Sequence, residues 1–243
     1  ISEHIQKKDI MFYFEKGRLA SFLKTQGVDG GVYDLPYGFW GNYLAVVNAN
    51  LAGGKSDAFI EQEIKGRIDV SNDGSSFVNL TISRTHSGED EEDWWYKAEN
   101  KNFIQVFTNS NSSLIGIKGN TERKRFEEEY DEEYETIEEL KKIEDTAVYL
   151  AGDHAWTMRA FGKNVFGTWL NVPAGETKEL EIKYQVLGDS NFAIGNGARY
   201  TIILERQSGV ASGINIDVAA PFGYIWEESG ATLYTLERED ILA

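Results

Sequence analysis

Along most of the chain, apolar residues recur at every second position. Ile64, Ile68 and Val70 share one phase, and Lys65, Arg67 and Asp69 share the other. After the turn signal Asn72-Asp73-Gly74, Val78, Leu80 and Ile82 alternate with Asn79, Thr81 and Ser83. Period-two alternation on both sides of a tight turn predicts a β-hairpin with one dry and one wet face. The same phase pattern returns at Leu180, Ile182, Tyr184 and Val186, at Tyr200, Ile202 and Leu204, and at Ile214, Ile216 and Val218. Further strands are expected at 103–107, 114–117, 148–150, 155–160, 165–172 and 231–236, separated by polar or glycine-bearing turns. Short strands punctuated by turns argue for an antiparallel β-sandwich over residues 61–243.

Two stretches depart from this pattern. Residues 1–60 mix an apolar run at 10–14, a short helical stretch at 16–25 and a second apolar run at 43–47. Leu19, Phe22 and Leu23 fall on one face of that helix. These residues read as a small α/β segment that completes a domain begun upstream. The second departure is the insertion at about 122–145. Between 121 and 145, twelve acidic residues stand against five basic ones. Phe126, Tyr130, Tyr134, Ile137 and Leu140 recur there at helical spacing, which predicts one acidic amphipathic helix over about 126–143. It reads either as a solvated helix lying on the sandwich or as a docking helix for a partner. The fold class is therefore β-rich α+β: an antiparallel β-sandwich preceded by a small α/β segment, with one inserted helix.

Charge and composition narrow the function. The net charge of −16 argues against nucleic acid as a main ligand, because neutralising phosphates needs a basic footprint. No cysteine is present, which excludes disulfides, thiolate catalysis and cysteine-held metals. No apolar run approaches the ~20 residues of a membrane helix. The chain opens on Ile rather than Met, which reads as a processed chain or a fragment.

The strongest chemical candidate is the loop after the run at 43–47. Ala49, Gly54, Lys55 and Ser56 satisfy the loose phosphate-loop spacing, in which small residues expose backbone N–H groups, Lys supplies charge and Ser holds magnesium. The context weakens it: the first Gly is missing, and a β pattern follows where a long helix should begin. A connecting turn is the favoured reading. Asn50, Gly53, Gly54, Lys55 and Ser56 are retained as ligand-binding candidates. The aromatic stretch 34–41, with Trp40, is either a packed loop or a sugar-stacking platform. The acidic stretch 87–95 ends in Trp94 and Trp95. Its five carboxylates suit calcium chemically but lack the ordered spacing of a calcium loop. The three histidines are scattered, no nucleophile elbow is present, and among forty acidic residues no pair can be chosen as a glycosidase dyad. No catalytic residue, metal or cofactor is assigned.

Several stretches are similar to one known family. IQKKDIMFYF (5–14), NYLAVVNANLAGGKSDAFI (42–60), KNFIQVFTNSNSSLIGI (101–117), VFGTWLNVPAGETKELEIKYQV (165–186) and YTIILERQSG (200–209) resemble, in that order, the C-terminal half of bacterial proteins of the domain-of-unknown-function 4012 family. The family's N-L-G-G-N-K loop corresponds to Asn50-Leu51-Ala52-Gly53-Gly54-Lys55, which accounts for the Gly-Lys pair without phosphate. The resemblance implies a single-pass, membrane-anchored protein on the bacterial cell surface, with the anchor upstream of this chain. It implies no catalytic residues. The expected function is a non-catalytic extracellular module binding protein partners or cell-surface glycan. The alternative is an enzyme or accessory factor acting on cell-wall polymer or lipid-linked precursors, with a site near 49–56.

Overall fold

The alternation along the chain becomes two sheets packed face to face. The computed structural model describes residues 4–5, 10–52, 54–123, 135–188, 194–195, 197–210 and 212–238. Its strands are β1 (Gly41–Asn50), β2 (Ile60–Val70), β3 (Ser76–His86), β4 (Asn100–Thr108), β5 (Ser112–Lys118) and β6 (Val148–Leu150). They continue with β7 (Ala155–Ala160), β8 (Lys163–Val172), β9 (Thr177–Val186), β10 (Thr201–Glu205), β11 (Ser212–Ala219) and β12 (Leu233–Arg238). The helices are α1 (Arg18–Thr25) and α2 (Glu138–Glu144). One sheet runs β10-β1-β4-β8-β7-β6 and the other β12-β11-β2-β3-β9-β5.

The inward phase of each strand makes the core. Leu80, Ile82, Leu180, Ile182 and Ile216 from one sheet meet Ile104, Val106 and Leu170 from the other, all fully buried. Phe166 and Tyr184 join the sheets, their ring centroids 5.7 Å apart. Burying each such side chain contributes roughly 1.5–3 kcal/mol. Toward both ends of the sandwich the same inward phase turns polar. Asn42, Ser76, Thr108 and Ser112 lie at one end, and Gln62, Arg84, His86, Asn100 and Asn102 at the other, all buried.

The pairings are antiparallel with two exceptions: β1 with β10 and β2 with β11 are parallel. The sandwich is therefore built from mixed sheets. Parallel order is invisible to alternation, which reports the face of a residue and not the direction of its neighbour. The strand expected in the leading α/β segment, β1, lies inside the first sheet between β4 and β10.

The run at 10–14 does not form a strand. Its backbone bonds are isolated, Ile10 N–H to the His4 carbonyl at 3.3 Å and Phe12 N–H to the Val28 carbonyl at 2.9 Å, and its large side chains are exposed. An apolar run becomes a strand only where a sheet edge is free to pair with it. Helix α1 forms as expected, yet Leu19 and Phe22 of its stripe are exposed. Within the acidic insertion, α2 is short, and Ile143 packs on the outer face of the first sheet with Met158 and Val165. Phe126, Tyr130 and Tyr134 of the expected stripe lie outside the described residues.

That outer face carries a small core of its own, in which Tyr43, Ala45, Phe107, Ala160 and Val165 pack with Val32 and Leu35. Lys163, buried to 2% exposure, donates to the Tyr33 carbonyl at 2.9 Å and sits 4.7 Å from the centre of the Tyr43 ring. The Tyr43 hydroxyl donates to Glu205, which also accepts the Tyr33 N–H at 3.1 Å. The segment before β1 is thereby fastened at Tyr33 to both β8 and β10.

Two predictions follow from this packing. Gly41 has φ of 148°, and a Cβ there would meet the Thr201 carbonyl oxygen at 1.8 Å. Gly41→Ala should therefore part β1 from β10 and lower stability by about 3 kcal/mol in urea unfolding. Gly209→Ala, at φ 76° with open space around it, should cost only ~1 kcal/mol. The second concerns alkali. Burial pushes the Tyr184 and Tyr200 phenols far above their ordinary value, and burial with the bond to Glu205 does the same for Tyr43. As pH rises through about 10 the unfolded chain gives up phenolic protons that the folded chain keeps. Stability should then fall by ~1.4 kcal/mol per pH unit for each of the three. Arg84, pushed down to about 10 by burial, and Lys163, also lowered by burial, oppose this with two groups against the three phenols. Urea midpoints between pH 9 and 11 measure the sum, and a midpoint that rises with pH contradicts it.

Candidate functional site

The candidate residues fall at opposite ends of the sandwich. Strand β1 separates them: its ten residues span roughly 30 Å at ~3.3 Å each. The far end of β1 carries Asn50 and the loop to Ser56; the near end follows directly on Trp40.

At the far end, the loop after β1 runs into a 3-10 turn at Ser56–Phe59 and then into β2. No long helix follows, so no helix N-terminus faces an anion here. Gly54, at φ 64°, packs against the Trp95 backbone, where a Cβ would come within 2.6 Å of its carbonyl oxygen. The Lys55 N–H donates to that same carbonyl at 2.9 Å, and the Lys55 Nζ lies 5.8 Å from the centre of the Trp95 ring. Trp94 is exposed and meets Trp95 edge-on at 5.9 Å. The structure thus brings Gly54, Lys55, Trp94 and Trp95 together, joining the glycine loop to the acidic loop. Gly53 lies outside the described residues.

Asn50 and Ser56 turn the other way, into the protein. Ser56 is fully buried, and its Oγ accepts from Asn50 Nδ2 at 3.2 Å and from Asn100 Nδ2 at 3.0 Å. Behind them sits Arg84, 2% exposed. Its guanidinium donates to the side-chain oxygens of Asn48, Gln62 (3.1 Å) and Asn100 (3.3 Å), and to Asp57 at 3.4 Å. Asn102 Nδ2 donates to Asn48 at 2.9 Å, and Gln62 Nε2 to Ser212 at 2.8 Å. Arg84 Nε and the indole N–H of Trp95 are buried with no hydrogen-bond partner. One carboxylate and a ring of amides hold this buried cation, and burial pulls its pKa down to about 10 against the pull of Asp57. His86 closes the cluster: its Nδ1 accepts from the Gly88 N–H at 3.0 Å, and its Nε2 faces the Ala98 carbonyl at 3.1 Å. The far end is a polar plug, with its hydroxyl, amide and guanidinium groups turned onto one another.

The near end is open. Because β1 and β10 are parallel, the segments entering them emerge side by side, with Gly41 paired to Thr201. The Thr201 N–H donates to the Trp40 carbonyl at 3.1 Å. Between the two segments lies an open cleft of about 560 Å³. Tyr37, Phe39 and Trp40 form one wall, and Gly195, Gly197 and Arg199 the other. Trp40 is held as a fixed wall: its Nε1 donates to the Gly74 carbonyl at 3.0 Å and its ring meets Tyr200 edge-on at 4.9 Å. Tyr200 in turn lies 6.0 Å from Trp226. Tyr37 is fully exposed.

Sequence reasoning named Trp40 but missed the opposing wall. No local signal in 194–199 points to 36–40; the parallel pairing supplies the proximity. Arg84 was also missed, although a signal existed. It follows Val78, Leu80 and Ile82 on the inward phase of β3, where a charge must find buried partners. Among the described residues, no group of three or more His, Asp or Glu side chains is placed to hold a metal ion.

The chain matches no known family and no curated protein. Among solved structures it is similar to a protein from Legionella pneumophila described as nutrient-binding, at 8% identity over 84% of this chain and 68% of that one, with a TM-score of 0.44. It is also similar to an M1 zinc metallopeptidase from Deinococcus radiodurans, at 10% identity and a TM-score of 0.32 over 75% of this chain and 40% of the peptidase. The chain therefore spans less than half of that enzyme. At such identities the chemistry of the site has to be argued from its own residues.

Removing Arg84 tests the plug. Arg84→Ala empties the centre of the amide ring and leaves its oxygens unpaired, which should cost about 3–5 kcal/mol in urea unfolding. Arg84→Met fills the volume without charge and should cost clearly less. Equal losses for the two would show that volume rather than hydrogen bonding holds this end together.

Proposed function

We propose that this chain is a non-catalytic binding module of a bacterial surface protein, held outside the cell by an anchor upstream. Its ligand is a cell-surface glycan taken into the cleft between 36–40 and the wall of Gly195, 197–199 and Thr201. The location rests on the resemblance of five ordered stretches to the domain-of-unknown-function 4012 proteins. The site rests on one observation: an open cleft walled by a fully exposed tyrosine and an immobilised tryptophan. Sugars present flat C–H faces that pack on aromatic rings, while their hydroxyls need polar groups nearby. The cleft offers both, through its rings on one side and the glycine backbone, Thr201 and Arg199 on the other. Its volume lies within the roughly 300–1,000 Å³ of small-ligand clefts.

The alternative site near 49–56 is less favoured. The Ser56 hydroxyl is turned into the protein and the Lys55 amide is engaged by Trp95. A phosphate or metal would have to displace both.

Tyr37→Ala separates binding from folding. Losing one stacking ring should weaken binding of cell-wall-derived oligosaccharides about tenfold in isothermal titration calorimetry. The melting temperature should not change, because the exposed ring holds nothing in place. If no oligosaccharide binds the unaltered chain, or if binding ignores Tyr37, the glycan reading is wrong.

A further inference from the structure

We infer that the cleft selects saccharides bearing an isolated anionic group, a carboxylate or a phosphate, and that Arg199 is the residue that reads it. This rests on the cleft being the glycan site. Among the described residues lining it, Arg199 is the sole formally charged side chain. Arg199 is exposed and has no ion pair among the described residues. Some basic side chains elsewhere on the surface are neutralised by neighbouring acids, as Lys65 is by Glu63 at 2.9 Å and Arg67 by Asp69 at 2.9 Å, and Arg199 is not.

The surroundings suit recognition by a planar cation. Among the described residues of its own wall, Gly195, Gly197 and Ala198 offer little side-chain bulk. A sugar ring stacked against Tyr37 would face that low wall, with its substituent toward the guanidinium. Arginine's fork matches a carboxylate or phosphate through two parallel hydrogen bonds, which fix direction as well as charge. The whole-chain charge of −16 sets the limit on the ligand. A densely charged polyanion is repelled before it arrives, whereas a glycan with sparse charges meets one local cation and little repulsion.

The test titrates three probes into the full chain at low salt: a neutral N-acetylglucosamine oligomer, a short galacturonate oligomer carrying carboxylates, and a phosphorylated oligosaccharide. At least one charged probe should bind about tenfold tighter than the neutral one. The carboxylate and phosphate arms decide between the two anions. Arg199→Gln should abolish the difference between the charged and the neutral probe; Arg199→Lys should keep part of the preference. Equal binding of charged and neutral probes by the unaltered chain overturns the inference, as does a preference that survives Arg199→Gln. Tyr37→Ala keeps this failure distinct from failure of the glycan site itself. If Tyr37→Ala weakens all three probes, the cleft is the site whatever Arg199 does. If it weakens none, both readings fall.

Discussion

Gly41 lies against the backbone of Thr201 with no room for a side chain, and much of the molecule depends on that approach. Without it β10 cannot lie parallel beside β1, and the sheet would end one strand sooner. The loops entering the two strands would then have no reason to meet. Glu205, which ties Tyr43 and Tyr33 to the sheet, also sits on β10. The single backbone contact therefore sets the edge of the first sheet, the anchoring of the leading segment and the existence of the cleft.

The other end of the sandwich solves a different problem. A core of Val, Leu and Ile between two sheets must stop somewhere, and at its last layer the backbone ends and side chains face water. Here the last inward layer is made of amides around one arginine. Asn48, Gln62 and Asn100 each give an oxygen to the guanidinium and an N–H to a residue beyond it, which ties the arginine to its surroundings. Asn100 shows this directly, accepting from Arg84 while donating to Ser56 and Asp57. A buried charge is weak evidence for stability. It is better evidence for a fixed geometry, because the partners of the two terminal nitrogens come from β1, β2, β4 and the turn at Ser56–Phe59, which must stay in place together. The turn at Ser56–Phe59 and the end of β1 are held by that arrangement.

How much of this was legible follows from what alternation can encode. Burial along β3 and β9 is written in the sequence, since Val78, Leu80, Ile82, Leu180, Ile182 and Tyr184 sit at every second position and all are buried. So was the sandwich. Strand neighbours were not, because a residue's phase says nothing about which strand lies beside it. That is why β1 read as part of a separate leading segment, and why the run at 10–14 read as a strand although no sheet edge receives it. The candidate loop at 49–56 read as a connection, but its contacts were not legible: Gly54 and Lys55 lie against the backbone of Trp95, some forty residues along the chain. Trp40 was legible as part of an aromatic loop; Arg199 was not, because only the parallel register brings it near.

The two ends of the sandwich divide the work between order and access. At the far end every strong polar group is near another, and a ligand would have to break existing hydrogen bonds to enter. At the near end Trp40 spends its indole N–H on the backbone of the β2–β3 turn, and its ring stays as a fixed wall. A wall that is already ordered loses little entropy when a ligand stacks on it, so more of the contact energy appears as affinity. The exposed Tyr37 has no such support and must be ordered on binding. Trp40 therefore supplies the preorganised surface, and Tyr37 the ring that closes over whatever lies on it.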